Sequence, residues 1–314
     1  MSNRLLLSFC LVTGLALGCD EASGGDGQGS VQTDAAQTDA GAADGALDNV
    51  MPGSRDHVFL LRVLQFARED EGRSAGFNLD DVITEQGSET GCGHEDFTSP
   101  TGDQGVDNQF SQLLPLIEQF GGMAIETYGQ SAINSGNLLL MVELSGVDDP
   151  QNDEQVTMSI YRGLGAPLLG TNDLIEPWQT FDIDLETHWL RTEEARIVDG
   201  HLEMTGLDFT FPFYIFDFMF EITLKNARFS IRLDEDARHI GKLAGSISIE
   251  NMLQIADNIE GGDMLPGLIR NIGTTLADMD PDEEGACQSI STTMNFETVG
   301  AFFYEDTPRP QSGD

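Results

Sequence analysis

Residues 206–224 read GLDFTFPFYIFDFMFEITL. Leu207, Phe209, Phe211 and Phe213 alternate with polar or small positions, and Phe216, Phe218, Phe220, Ile222 and Leu224 alternate again after a slip of phase at Ile215 and Phe216. Strict alternation is what a strand with one buried face requires, because successive side chains point to opposite sides of the pleat. The slip predicts a bulge or corner, sharpened by Pro212, which has no N–H to give to a ladder. Ala227, Phe229, Ile231 and Leu233 carry the pattern on, the DEDAR segment turns the chain, and Leu243, Ile247 and Ile249 return. The expected fold class is α+β and β-rich: an antiparallel meander or a sandwich-like curved sheet with a few packed helices.

The phenylalanine face has two readings. As core, each buried aromatic contributes on the order of 2 kcal/mol of transfer free energy. As the wall of a concave cavity, Phe209, Phe211, Phe213, Phe218 and Phe220 would hold a lipid or other apolar ligand, as wide sheets and barrels can.

Outward from this stretch, residues 58–67 (VFLLRVLQFA) fit neither helical nor strand period cleanly, and their place before a glycine-rich loop favours a strand. Phe110, Leu113, Leu114, Ile117 and Phe120 recur at helical spacing, with Asn108 as a cap, Gly121 and Gly122 as a stop, and Pro115 inside. A second short helix is expected over 124–133, and strands over 137–147 and 155–161 joined by the acidic turn GVDDPQNDE. Met252, Leu253, Ile255 and Ala256, then Leu265, Leu268, Ile269, Ile272 and Leu276, suggest helices packed on the sheet, and residues 289–303 a closing strand.

The chain has 314 residues, with 15 Lys and Arg against 54 Asp and Glu, a formal net charge of −39. Such a polyanion is repelled by nucleic acid and by anionic lipid surfaces. It suits salty water or the binding of divalent cations.

At the amino terminus, MSNRLLLSFCLVTGLALGC carries Arg4 ahead of an apolar run over 5–17, the layout of a secretory signal, and the run is short for a bilayer span. Ala16-Leu17-Gly18-Cys19 resembles a bacterial lipobox, with Ala16 and Leu17 departing from the usual residues. The resemblance implies cleavage of a signal peptide over 1–18 and lipidation of Cys19; ordinary secretory cleavage is the alternative. Residues 20–48 are Gly, Ala, Ser, Gln, Thr and Asp with almost no large apolar side chain, so they cannot bury enough surface to offset ordering. The expected organisation is a lipidated cysteine and tether over 19–54, one globular β-rich domain over 55–306, and a flexible tail over 307–314. The expected location is the bacterial cell envelope, outside the cytoplasm, with the lipid bilayer a partner through the acyl anchor. Asp20 resembles a retention signal that holds only in some lineages, so the leaflet stays open.

Residues 76–110, GFNLDDVITEQGSETGCGHEDFTSPTGDQGVDNQF, gather acidic, amide, glycine and cysteine residues between two apolar segments. Carboxylates packed closely repel one another unless a cation neutralises them, and calcium takes oxygen ligands from flexible turns. Asn78, Asp80, Asp103 and Asp107 are the candidate ligands. Asn78-Leu79-Asp80-Asp81 and Asp103-Gln104-Gly105-Val106-Asp107-Asn108 resemble the halves of a D-x-D-G-D-G-x-x-D-N loop found in a set of bacterial envelope lipoproteins. Asn78 stands for the first Asp, Asp81 for the first Gly, and some twenty residues intervene. The resemblance implies a calcium ion ordering the loop between a strand and a helix; a solvated acidic turn is the plain alternative.

Cys10 would leave with the signal, and Cys19 would carry lipid. Cys92 and Cys287 then remain as the pair available for a disulfide in an oxidising compartment. The histidines His57, His94, His188, His201 and His239 lack metallohydrolase spacing. Tyr128-Gly129-Gln130-Ser131-Ala132-Ile133 begins like a nucleophile elbow but has no second glycine. The functional expectation is a membrane-tethered lipoprotein with a calcium-ordered, non-enzymatic binding or structural domain. The alternatives are a carrier of an apolar ligand and an extracellular polymer hydrolase.

Overall fold

In the computed structural model, the residues described are 57–88, 90–121, 125–187, 190–215, 218–233, 238–258 and 264–309. The signal segment, Cys19, the tether and residues 310–314 lie outside them, as do the side chains of Phe213 and Phe218.

Among the described residues ten strands occur in chain order: β1 (His57–Phe66), β2 (Leu140–Ser145), β3 (Asp153–Leu164), β4 (Gln179–Ile183), β5 (Leu190–Val198), β6 (His201–Ile215), β7 (Phe218–Arg232), β8 (Arg238–Ser248), β9 (Met279–Pro281) and β10 (Cys287–Phe303). The fold is α+β and β-rich with an antiparallel sheet and few helices, and the sheet closes into an eight-stranded barrel. β1, β2, β3, β5, β6, β7, β8 and β10 each pair antiparallel with the next, and β10 returns to β1 from Phe59 opposite Gly300 to Phe66 opposite Met294. Closure removes both sheet edges, which a sandwich would leave to be covered. β4 bridges the ends of β3 and β10, and β9 pairs with the start of β10.

The meander over β6, β7 and β8 follows the alternation in the sequence, with one correction. The slip at Ile215 and Phe216 is a chain reversal: Ile215 pairs with Phe218 and Phe213 with Phe220, so the pattern restarts on a new strand. A tight hairpin and a bulge shift the phase of a one-dimensional pattern alike. The register irregularity falls instead between Thr205 and Phe209, near Gly206 (φ 79°) and opposite Asn226 (φ 47°).

Inward-facing aromatic residues line the lumen. Phe209 and Phe211 stack at 5.4 Å and Phe229 and Phe296 at 5.2 Å between ring centroids. Phe220 is buried in the same core.

Helices α1 (Phe110–Gly121) and α2 (Ile125–Ser135) join β1 to β2. Between β8 and β9 run α3 (Ile249–Asn258) and α4 (Met264–Leu268), the latter continuing through a π turn at Ile269–Gly273 into the single turn α5 (Thr274–Leu276). α1 contains Pro115 and buries Leu113 and Leu114 completely. Asn108 does not cap α1 with its side chain, which is spent on tertiary contacts: its Nδ2 donates to Ala67 O and Ser74 Oγ, and its Oδ1 accepts from Thr293 N. No described helix is long and apolar enough to cross a membrane.

Candidate functional site

The acidic loop lies on the outer surface of the barrel wall. Leu79, 1% exposed, packs with Phe77 against Ala244 of β8 and Met279 of β9. Asn226 Nδ2 donates to Leu79 O at 2.8 Å, Arg228 pairs with Asp81 at 2.8 Å, and Lys242 lies over the Phe77 ring. The loop is thereby fastened to β7 and β8.

Within it, residues 97–106 fold back on themselves. Phe97 and Val106 pair antiparallel, each N–H donating to the other's carbonyl at 2.9 Å. Asp96 and Asp107 flank that pair, so the excursion of some twenty residues between the two acidic motifs returns its carboxylate to the first. Asp107 is 4% exposed and accepts from Leu79 N at 2.6 Å. Asp96 accepts from Thr84 N at 2.6 Å and lies within the field of Asp107. Asp278, 6% exposed, accepts from Ser291 N at 2.7 Å and Ser291 Oγ at 2.5 Å, and that hydroxyl in turn accepts from Gln109 N.

Two buried carboxylates, Asp107 and Asp278, and the half-buried Asp96 thus sit within one another's fields, and among the described residues no lysine, arginine or histidine forms an ion pair with any of them. Burial pushes the Asp107 carboxyl up to about 8 against the pull of the Leu79 N–H, and the charges of Asp80, Asp96 and Asp278 add to the rise. Burial likewise raises Asp278 to about 7 despite the Ser291 hydrogen bonds, with Asp96 contributing. Asp96 is also raised, by burial first and then by Asp80 and Glu95, while the Thr84 N–H opposes the shift. The physical cause is common: a charge taken out of water is disfavoured unless an opposite charge replaces the solvent.

Of the four residues expected to ligate a cation, Asp80 and Asp107 lie within each other's fields. Asp80 Oδ1 accepts from Val82 N at 2.9 Å and Asn78 Nδ2 donates to Val82 O at 2.8 Å, so both close the same turn. Asn78 Oδ1 is buried without a hydrogen-bond partner. Gly105, with φ +84°, leaves room for that amide: a Cβ there would lie 2.5 Å from Asn78 Nδ2. Asp103 is diverted. Its carboxylate accepts from Thr101 Oγ1 at 2.7 Å and Ser99 Oγ at 2.9 Å, bonds that hold it below the usual carboxylate range while closing the 99–103 turn. Asp96 and Asp278 are the members that sequence reasoning missed. Their only local signal is an acidic side chain beside an apolar one, which recurs throughout this chain.

The donors on hand, carboxylate and amide oxygens, are those of a hard cation. Among the described residues no three carboxylate, imidazole or thiol groups stand close enough to hold a metal by themselves, so amide or backbone oxygens would have to complete a shell. A polar crevice of about 450 Å³, lined by Thr84, Glu95, Asp96, Thr98 and Gln104 among others, opens beside the group. Ser131 of the elbow-like motif lies within α2.

Cys92 and Cys287 are brought to disulfide distance, with Cα atoms 6.1 Å apart, linking the excursion to the start of β10. In the GVDDPQNDE turn, Asp153 accepts from Asp148 N and Gln155 N and Asp149 from Gln151 N, so those carboxylates serve the turn. Compared with protein-family models, curated proteins and solved structures, the chain matches none.

Proposed function

We propose that the chain is a membrane-tethered extracytoplasmic lipoprotein whose barrel is a non-enzymatic binding or structural domain with a calcium-ordered loop. The observation that carries the calcium half is the pair of buried carboxylates Asp107 and Asp278 with the half-buried Asp96, without a basic partner among the described residues, beside the unpaired Asn78 Oδ1. The residues that would hold calcium are Asp96 and Asp107 with the Asn78 amide oxygen and neighbouring backbone oxygens; bound calcium would supply the positive charge the group lacks. Asp278 lies behind them, committed to Ser291. Because the loop joins the end of β1 to α1 and is fastened to β7, β8 and β10, neutralising its charge stiffens one side of the barrel wall. The Cys92–Cys287 pair supports the extracytoplasmic reading, since disulfides persist in oxidising compartments.

Calorimetric melting of the mature chain tests the metal half. At one hundred times the dissociation constant a ligand of the folded state stabilises by about 2.7 kcal/mol, so calcium should raise the Tm by roughly 5–10 °C over chelator and magnesium should do less. A Tm that moves with neither cation removes calcium from the reading. The anchor is tested separately by Cys19→Ser, which should move the protein from the membrane fraction to the soluble one; retention on the membrane would reject lipidation at that residue.

A further inference from the structure

The barrel lumen contains a feature independent of the calcium reading. A cavity of about 60 Å³ lies between β1, β2, β3, β6, β7, β8 and β10, walled by residues such as Val142, Ile160, Phe211, Leu243 and Phe296. Its surface is apolar except at Thr298. A second apolar cavity of about 80 Å³ lies where α1, α3 and α4 cover the barrel, bounded by Phe66, Ile247 and Met252 among others. The register of β1 with β10 is unbroken from Leu64 to Phe66, and that of β8 with β10 from Leu243 to Ile247. Leu64 and Phe66 therefore share one face, as do Leu243 and Ile247. Both cavities therefore face the inside of the barrel.

A void of this size exceeds what a water needs, yet its wall offers almost nothing to hold water. Empty, it deprives its lining of dispersion contacts. Thr298 is 2% exposed, and its Oγ1 has no hydrogen-bond partner. A hydroxyl buried unpaired in an apolar wall is costly, and an oxygen brought by a ligand would satisfy it. Met204 and Met294 on one cavity and Met252 on the other are the adaptable side chains that let a lumen open along its length.

We propose that the lumen binds a neutral, single-chain aliphatic molecule with one oxygen function, its chain between the two cavities and its oxygen hydrogen-bonded to Thr298. A neutral head is required because, among the described residues, no charged side chain lines either cavity.

The test is titration calorimetry of the mature chain with 1-decanol and, at pH 8, with decanoate. Decanol should bind saturably at one site, and decanoate at least tenfold more weakly. Thr298→Val keeps the shape and removes the hydroxyl, so it should melt no lower than the parent protein while binding decanol about three- to tenfold more weakly. Val142→Phe, or Ile160→Phe if the first variant does not fold, should abolish binding by filling the lumen. No saturable decanol binding overturns the proposal. So does equal affinity in the lumen-filled variant, which would place the ligand elsewhere. Unchanged affinity in Thr298→Val, or decanoate binding as tightly as decanol, would refute the polar contact and the neutral head respectively.

Discussion

Phe97 and Val106 exchange both backbone hydrogen bonds at 2.9 Å, and that one pairing sets Asp96 against Asp107. A buried carboxyl beside a second carboxyl is disfavoured as an anion without a counter-charge, so at neutral pH Asp107 holds a proton. Proton and cation therefore compete for one group.

The sign of the pH dependence follows. Asp107 has a folded value of about 8, above the ordinary 3.8, so between those values the folded chain holds a proton that the unfolded chain does not. Its stabilising contribution is present below the ordinary value and is lost as pH rises through about 8. Without calcium, chemical denaturation should give lower stability at pH 9 than at pH 6, by a few kcal/mol. Calcium should recover most of that difference, binding more tightly at pH 9. Asp107→Asn should shrink the dependence to the part that Asp278 contributes below about 7; a wild-type profile that is already flat would mean the group is not coupled as described.

Substitution separates the group from its surroundings. Asp96→Asn and Asp107→Asn should each abolish the calcium-dependent rise in Tm. Asp103→Asn should keep that rise while weakening the turn that Ser99 and Thr101 close, at a cost of about 1 kcal/mol. Loss of the calcium response in Asp103→Asn alone would restore Asp103 to the ligand set and displace Asp96.

These assignments mark where sequence was informative. β6 and β7 declare themselves because their inward residues are large and alternate without polar interruption. β5 does not: its inward positions are Thr192, Ala195 and Ile197, set among Arg191, Glu193, Glu194 and Arg196. Small inward residues satisfy a wall that bulkier neighbours have already filled, and they leave no periodic signature. Barrel closure was equally hidden, since pairing β1 with β10 joins the two ends of the folded region and no local pattern encodes it. Asp107 could be picked out because an asparagine and a helix follow it. Asp96 could not, because its place depends on the pairing of Phe97 with Val106.

The link from Cys92 to Cys287 spans 195 residues, and in the chain-entropy picture a crosslink of that span stabilises by about 5 kcal/mol. Reduction, or the double substitution to alanine, should therefore lower stability by about 3–5 kcal/mol in urea denaturation. It should also weaken the calcium response, because Cys92 leads to Asp96 through three intervening residues. A reduced protein as stable as the oxidised one would show the link to be dispensable.

The lumen makes its own demand on sequence at Gly241. A Cβ built there lies 2.3 Å from the Phe296 ring and 2.7 Å from Ser230 O, so the first contact can be relieved only by moving Phe296 and the second only by moving backbone. Phe296 is stacked on Phe229 at 5.2 Å and forms part of the cavity wall, which leaves it space to retreat inward. Gly241→Ala should then destabilise by about 1–3 kcal/mol, the usual cost of overpacking a filled core, and not by the larger amount a rigid wall would impose. Because the ring retreats into the cavity, the same variant should bind decanol more weakly than the parent protein. Urea denaturation and decanol titration on one sample check both. Destabilisation with unaltered decanol affinity would show that the strain is absorbed by β7, through Ser230, and that the cavity wall is stiffer than its methionines suggest.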